Sequence, residues 1–153
     1  MEKLKINSNL SNITIIEGFV EEISEKYNLD QTHFGNILVS LTEAFRNAVV
    51  HGNNNDPKKK VTLTFDPVQR GLSFSISDEG SGFDPDQIPS PIESNKEEGR
   101  GIYLIRTLTD EVNFIDKGKT IEMIFDIEGI GKKVMDERKK HFNMYFNKIK
   151  HKA

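Results

Sequence analysis

The stretch that decides the fold is LTEAFRNAVVHGN, residues 41–53. Glu43, Asn47 and His51 follow one another at intervals of four residues, so they lie along one side of a helix. The neighbouring positions are mostly apolar, as in a helix that packs against a core. A polar stripe on such a helix faces either water or a ligand. Because apolar residues flank the stripe on both sides, we favour a ligand.

Length and composition limit the class of protein. A chain of 153 residues suits one domain with a sizeable core, and 35% apolar with 29% charged residues is typical of a soluble protein. No run approaches the roughly 18 apolar residues of a membrane span. The N-terminus carries no secretion signal, and Cys is absent, which excludes disulfides and Cys-based metal sites. We therefore expect a cytoplasmic protein that does not contact a membrane.

Charge is distributed unevenly along the chain. The net charge is −3, yet residues 132–153 carry eight Lys and Arg against two Asp and Glu. This segment is the only candidate patch for nucleic acid or an acidic partner. A basic run is more often a solvated helix or a protein contact, so we expect no direct nucleic-acid binding. We expect one domain over residues 1–128 and a basic C-terminal helix or tail over residues 129–153.

The order of periodic segments predicts the fold class. Alternation of apolar and polar residues predicts strands, and a 3.6-residue spacing predicts helices. The strands fall near residues 2–7, 58–65, 72–77, 112–115 and 120–127, and the helices near residues 9–28, 31–52 and 99–108. Asp30 is the expected cap of the second helix. This order predicts an α+β fold, a two-layer α/β sandwich with a mainly antiparallel mixed sheet and helices on one face.

A carboxylate between glycines follows the third predicted strand, in the segment Asp78-Glu-Gly80-Ser-Gly82. A carboxylate at a strand end can accept a hydrogen bond from an exocyclic amino group, such as that of adenine. The two glycines let the backbone approach a flat ring closely. Taken alone, the cluster is more typical of a plain hairpin turn, where Asp and Gly are common.

A second glycine pair opens the third predicted helix. Gly99, Arg100 and Gly101 offer free backbone N–H groups at the positive end of the helix dipole, and Arg100 adds a planar cation. This combination can bind an anion. The alternative is an ordinary helix start with Gly on the entering loop.

The polar stripe itself suits phosphoryl chemistry. Asn47 could supply a neutral oxygen to Mg²⁺, and Glu43 could orient or deprotonate a hydroxyl nucleophile. The alternative is a solvated helix face. His51 either closes the C-terminal end of the helix or contacts the ligand, and both readings stay open.

Together, these segments resemble the Bergerat-fold (GHKL) ATPase superfamily of gyrase, heat-shock chaperones, histidine kinases and mismatch-repair ATPases. Each of its sequence boxes has a counterpart in the same order. The counterparts are Glu43-x-x-x-Asn47-x-x-x-His51-Gly52 for the N box, Asp78-x-Gly80-x-Gly82 for the first glycine box and Gly99-x-Gly101 for the second. Gly118-Lys119-Thr120 resembles the segment whose Thr supports the adenine-binding Asp.

Within the superfamily, the similarity is closest to the bacterial anti-sigma-factor serine/threonine kinases of the stress-response and sporulation type. Four phrases of the chain are similar to that group nearly word for word. They are EAFRNA at 43–48, HGN at 51–53, DEGSGFD at 78–84 and GRGIYLI at 99–105. Residues beyond 128 have no counterpart that we can match.

The resemblance implies a site for ATP and Mg²⁺, with a role for each matching residue. Glu43 would be the general base and Asn47 the Mg²⁺ ligand. Residues 83–98 would form a lid over the phosphates. The implied nucleotide-binding residues are Asn47, Asp78, which binds adenine, Gly80, Gly82, Gly99, Arg100, Gly101 and Thr120.

The resemblance also implies partners. The protein would be a homodimer that sequesters a sigma factor and phosphorylates a Ser or Thr of an anti-sigma antagonist. One alternative is a binding module that holds ATP and a partner without transferring phosphate. Glu43 favours transfer, because adenine binding does not require it. The ATP-binding half of a sensor histidine kinase is less favoured, because the sequence shows no preceding helix pair with a phospho-acceptor His.

Overall fold

The computed structural model describes residues 1–82 and 97–127, together with the isolated positions Lys140 and Met144. In chain order, the elements are β1 (Glu2–Asn7), α1 (Ile13–Lys26), α2 (Gln31–Asn47), β2 (Lys60–Val68), β3 (Gly71–Ser77), α3 (Glu97–Leu108), β4 (Glu111–Ile115) and β5 (Thr120–Asp126). A short 3-10 turn over Leu10–Asn12 leads into α1, and a π turn over Ala48–Gly52 ends α2. None of the helices in these ranges combines the length and apolar composition that a membrane crossing requires.

The five strands form one sheet in the order β1-β2-β3-β5-β4, and all four neighbouring pairs are antiparallel. Alternation along β2 and β3 separates the two faces of this sheet. Phe65 and Phe74 are cross-strand partners on the buried face. Thr64 and Ser75 are partners on the opposite face, where their hydroxyl groups hydrogen-bond to each other. The sheet therefore has one apolar and one hydroxyl-rich face.

The helices pack on the apolar face of the sheet. Phe19 of α1 contacts Phe65 and Phe74 edge-on, with ring centroids 6.1 and 6.4 Å apart. Phe125 of β5 meets Phe74 in the same way at 5.9 Å. Such pairs add about 0.5–1.5 kcal/mol each beyond the burial of their area. The aromatic cluster thus packs α1 against β2 and β3, and joins β3 to β5.

Helix α2 lies between α1 and α3 and carries the polar stripe. The Asp30 carboxylate caps its first turn by accepting a hydrogen bond from the His33 N–H at 2.7 Å, which stabilises the helix by about 1 kcal/mol. Leu41 and Phe45 are fully buried on its core side. The last turn is π-helical, because the Asn53 N–H reaches back five residues to the Ala48 carbonyl at 2.8 Å. π turns of this kind occur frequently at functional sites.

The predicted α+β class is confirmed, and each predicted strand and helix within residues 1–127 is present. Two details differ from the sequence prediction. No parallel strand pair occurs among the described strands, and α3 begins at Glu97, two residues before Gly99. Residues 83–96 of the predicted lid and the predicted C-terminal helix or tail at 129–153 lie outside the described ranges, apart from Lys140 and Met144. The last two residues of the predicted lid belong to α3. The domain boundary near residue 128 stays a prediction.

Candidate functional site

A cavity of about 180 Å³ lies where the C-terminal end of α2 meets the ends of β3 and β5. Asn47 and Asp78 contribute polar groups to its wall. Ile102 of α3 and Ile121 of β5 contribute apolar surface. Polar and apolar groups share the wall about equally, which suits a small molecule that has both a flat ring and polar substituents.

Asn47 lines one end of the cavity, and beside it α2 packs against α3, where Glu43 and Gly101 lie next to Asn47 without lining the cavity. Glu43 is only 6% exposed and lies one helical turn before Asn47. A Cβ atom at Gly101 of α3 would lie 2.9 Å from Glu43 Oε2 and 3.3 Å from Asn47 Nδ2. Gly101 therefore lets the α3 backbone approach both side chains. The structure thus brings together three residues that the sequence predicted from two separate segments.

The donor set at this end fits Mg²⁺. A carboxylate and an amide side by side offer the hard oxygen ligands that Mg²⁺ prefers, with nucleotide phosphates and water completing the octahedron. Across residues 1–82 and 97–127, no three His, Cys, Asp or Glu side chains cluster so that they could hold a metal alone. A metal here would therefore depend on a bound phosphate, as is usual for Mg²⁺ at phosphoryl-transfer sites.

The other end of the cavity is built from close backbone contacts around Asp78. A Cβ atom at Gly52 would lie 2.3 Å from Asp78 Oδ2, and one at Gly80 would lie 2.1 Å from the Gly52 carbonyl oxygen. The Gly80 N–H donates to Asp78 Oδ1 at 2.7 Å. The Asp78 carboxylate is thus held between the end of α2 and the glycine segment after β3. Only residues without a side chain fit at Gly52 and Gly80.

Burial raises the pKa of the Asp78 carboxyl above its ordinary value. The Gly80 N–H and the positive charges of Lys119 and Lys59 oppose this rise. The carboxylate is half-buried, and its side chain lines the cavity. In the ionised form it is an acceptor for an amino group of a ligand. This geometry agrees with the predicted adenine contact.

The β4–β5 hairpin closes the cavity on the side of Gly82. Gly82 has φ +84°, and a Cβ atom there would lie 2.0 Å from the Lys117 carbonyl oxygen. The Asp78 N–H donates to the Lys119 carbonyl at 3.0 Å. Gly118 and Lys119 consequently line the cavity beside Asp78. Of the predicted Gly118-Lys119-Thr120 segment, Gly118 and Lys119 are therefore part of the site.

Of the remaining predicted residues, only His51 lines the cavity, and Thr120, Gly99 and Arg100 lie around it. The Thr120 and Ser77 hydroxyl groups form a hydrogen bond of 2.7 Å. Thr120 therefore stabilises the end of β3, which precedes Asp78, and does not contact the Asp78 carboxylate in this bond. Gly99 is buried in the first turn of α3, whereas Arg100 is exposed and is not among the cavity-lining residues. His51 is exposed and lines the cavity. It lies in the π turn and lines the same cavity as Asn47.

Sequence reasoning assigned no role to Asn53, which the structure buries completely beside the site. Its amide bonds to groups from three strand regions, the most distant 45 residues away in the chain. Those partners cannot be read from local spacing. The only sequence signal is a polar residue directly after the His-Gly pair that ends the helix.

Comparison with known proteins identifies the family. Residues 6–125 match the family model described as a histidine kinase-like ATPase domain. The chain belongs to this family. Its description as an ATPase implies ATP binding, and the predicted resemblance to the GHKL superfamily is confirmed. In the histidine kinase-like ATPase domain of this chain, the cavity between Asp78 and Asn47 is the candidate nucleotide site.

Relatives are similar over most of the domain. A protein of Bacillus velezensis named Serine-protein kinase RsbW is 26% identical over 137 residues, covering 83% of this chain and 86% of the relative. The Bacillus subtilis protein of the same name gives the same identity and coverage. The Bacillus cereus protein of that name is 26% identical over 131 residues, covering 79% of this chain and 81% of the relative.

Proposed function

We propose that the protein is an ATP-dependent protein serine/threonine kinase that also acts as an anti-sigma factor. It would sequester a sigma factor and phosphorylate an anti-sigma antagonist, as a homodimer in the cytoplasm. The kinase class agrees with the name of the relatives. The two protein partners follow from the phrase-level resemblance of the sequence. The observation that carries the proposal is that Asp78 and Asn47 line one cavity, with Glu43 and the backbone of Gly101 packed beside Asn47.

The residues at the two ends of the cavity suit different parts of the reaction. Asp78 would accept the adenine amino group, with the backbone at Gly52 and Gly80 against its carboxylate. Asn47 would hold Mg²⁺, which supplies charge neutralisation to the phosphates when it is bound. Arg100, exposed at the start of α3, would contact phosphate or the partner protein.

Glu43 would act on the protein substrate. The Glu43 carboxylate takes the proton of the Ser or Thr hydroxyl group. The hydroxyl oxygen bonds to the γ-phosphorus of ATP as ADP leaves. The proton stays on Glu43, and the products are the phosphorylated antagonist and ADP. Positioning supplies much of the acceleration in such transfers. The burial of Glu43 beside Asn47 suits this role, because a fixed carboxylate keeps its distance to the hydroxyl.

Two matched substitutions test binding and transfer separately. Asp78→Asn keeps the shape of the side chain and its bond from the Gly80 N–H, but places an amide group against the adenine amino group. We expect it to weaken ATP binding about 100-fold or more, since a site built for one hydrogen-bonding pattern rejects the other. Glu43→Gln should leave ATP affinity within about threefold and reduce transfer by at least about 100-fold.

Calorimetry with ATP and Mg²⁺ measures the first effect. Transfer of labelled γ-phosphate to an antagonist encoded beside the gene measures the second. Unchanged ATP affinity in Asp78→Asn would exclude the adenine assignment. ATP binding by the wild type without labelling of any such antagonist would instead establish a nucleotide-gated binding module.

A further inference from the structure

Three residues around the end of α2 form a closed ring of hydrogen bonds. Asn53 Nδ2 donates to the Lys60 carbonyl at 3.0 Å, and the Lys60 N–H donates to Glu79 Oε2 at 2.5 Å. The Glu79 N–H returns to Asn53 Oδ1 at 2.8 Å. The ring therefore ties the loop after α2 to the first residue of β2 and to the residue that follows Asp78.

Asn53 is the central member of this ring. It is 0% exposed, and its second Nδ2 hydrogen bond goes to the Ser8 hydroxyl at 3.1 Å. Both amide hydrogens and the amide oxygen are thus satisfied by fixed partners. A side chain without these groups would leave the partners buried and unpaired. An Asp here would keep the acceptor but lose both donors.

The ring lies immediately beside the contact that shapes the Asp78 end of the cavity. Asn53 follows Gly52, and Glu79 follows Asp78, and the Gly52 backbone packs directly against the Asp78 carboxylate. Asn53 itself is not among the residues that line the cavity. The hydrogen bond between Asn53 and Glu79 therefore sets the distance between the end of α2 and the end of β3.

We propose that Asn53 is a positioning residue for recognition of the nucleotide base. It holds the Asp78 carboxylate where it accepts the adenine amino group, without touching the nucleotide. The inference rests on the proposed ATP-binding function, in which Asp78 contacts adenine. It adds to that function a positioning role for Asn53, which sets the selectivity of Asp78 for an amino group over a keto group.

The alternative role for Asn53 is to stabilise the fold alone, and base selectivity separates the two roles. ITP has a keto group in place of the amino group and a hydrogen on ring atom N1, so it cannot donate from the exocyclic position that Asp78 would contact. Loss of positioning weakens ATP binding more than ITP binding, whereas loss of stability weakens both equally. The quantity to measure is the ratio of the ATP and ITP affinities by calorimetry, on the full chain with Mg²⁺, at a temperature where denaturant curves show each variant folded.

The test uses Asn53→Ala with Thr109→Ala as the matched control. Thr109 is also buried, and its hydroxyl donates to the Ile105 carbonyl at 2.7 Å within α3. We expect Asn53→Ala to weaken ATP binding about tenfold, the equivalent of one misplaced polar contact, and to change ITP binding less than about threefold. Thr109→Ala should leave the affinity ratio of the wild type unchanged.

Glu79→Ala is the second variant, because Glu79 is exposed and its loss opens the ring without leaving a cavity in the core. We expect it to lower the ATP/ITP ratio in the same direction by about threefold, since one hydrogen bond of the ring is lost. If Asn53→Ala does not fold, this variant decides the question. A lowered ratio supports positioning, and an unchanged ratio overturns it.

The outcomes separate this inference from the proposed function. A wild type that binds ATP and ITP equally would overturn the adenine assignment of Asp78, and the positioning role with it. A wild type that prefers ATP, with the same preference in Asn53→Ala, would overturn only the positioning role.

Discussion

The two ends of the cavity are built in different ways. At the Asp78 end, defined by Gly52, Asp78 and Gly80, a Cβ atom at Gly80 would collide with a backbone carbonyl at 2.1 Å. At the Glu43 end, defined by Glu43, Asn47 and Gly101, a Cβ atom at Gly101 would meet side-chain tips at 2.9 and 3.3 Å. The Gly52 carbonyl belongs to the π turn and can move only if the backbone shifts, whereas side-chain tips can rotate aside. The Asp78 end is therefore pre-formed, whereas the Glu43 end can adjust.

The largest expected effect comes from a methyl group at the pre-formed end. Gly80→Ala forces its Cβ into the Gly52 carbonyl, so the end of α2 and the glycine segment must separate. We expect a loss of about 1–3 kcal/mol in the free energy of unfolding, as for overpacking of a core, together with loss of detectable ATP binding. Urea denaturation and calorimetry measure the two effects.

Gly18→Ala is the control for this substitution. Gly18 lies in the middle of α1, and a Cβ atom there would meet nothing within 4 Å. The same chemical change should stabilise the protein by roughly 0.5–1 kcal/mol, because Ala favours a helix over Gly, and should leave ATP affinity unchanged. Normal ATP binding by Gly80→Ala would show that the Asp78 end is as adjustable as the other.

The same substitution at the Glu43 end should affect catalysis instead of binding. Gly101→Ala displaces the Glu43 carboxylate and the Asn47 amide, which can rotate away at little cost in stability. We expect kcat for phosphate transfer to fall about 10- to 100-fold, since a small misplacement of a catalytic group has effects of this size. ATP affinity measured without Mg²⁺ should change less than about threefold, because Asn47 would act on the nucleotide through the metal. Parallel measurement of kcat and of ATP affinity by calorimetry tests the contrast.

An equal loss of ATP affinity in Gly101→Ala and Gly80→Ala would remove the distinction between the two ends. A fall in ATP affinity with normal kcat in Gly101→Ala would instead place nucleotide binding, rather than base chemistry, at the Glu43 end.

The two ends also differ in how far the sequence predicts them. Glu43 and Asn47 are predictable because helical spacing alone aligns them, and β3 is predictable because its side chains alternate. The ring around Asn53 is not, since its partners lie 7 to 45 residues away and meet only when the sheet forms. Tertiary hydrogen bonds of this kind leave no period in the sequence.

Small shifts of helix boundaries also escape sequence patterns. The pattern places the start of α3 at Gly99, but the helix begins at Glu97. The pattern also continues the second helix to Gly52, but Ala48–Gly52 form a π turn. Apolar periodicity identifies a helix but does not specify its last turn.

The smallest expected effect is the pH dependence of stability that Asp78 confers. Its folded pKa is raised above the ordinary value of 3.8 by burial, so the folded state binds a proton more tightly than the unfolded chain. In the absence of ligand, folding therefore favours the protonated form of the Asp78 carboxyl group. The wild type should lose stability relative to Asp78→Asn as pH rises from 3.8 through the raised pKa.

Denaturant curves for the wild type and Asp78→Asn at a series of pH values measure this difference. The difference in the free energy of unfolding should be constant above the raised pKa and should shrink as pH falls toward 3.8. It should be modest, because a half-buried carboxylate keeps part of its hydration. ATP affinity should instead increase as pH rises through the same range. Protonation of the Asp78 carboxylate removes an acceptor for the adenine amino group. A stability difference that is independent of pH would mean that the Asp78 end does not desolvate its carboxylate, and the pre-formed end would then owe its selectivity to hydrogen-bond geometry alone.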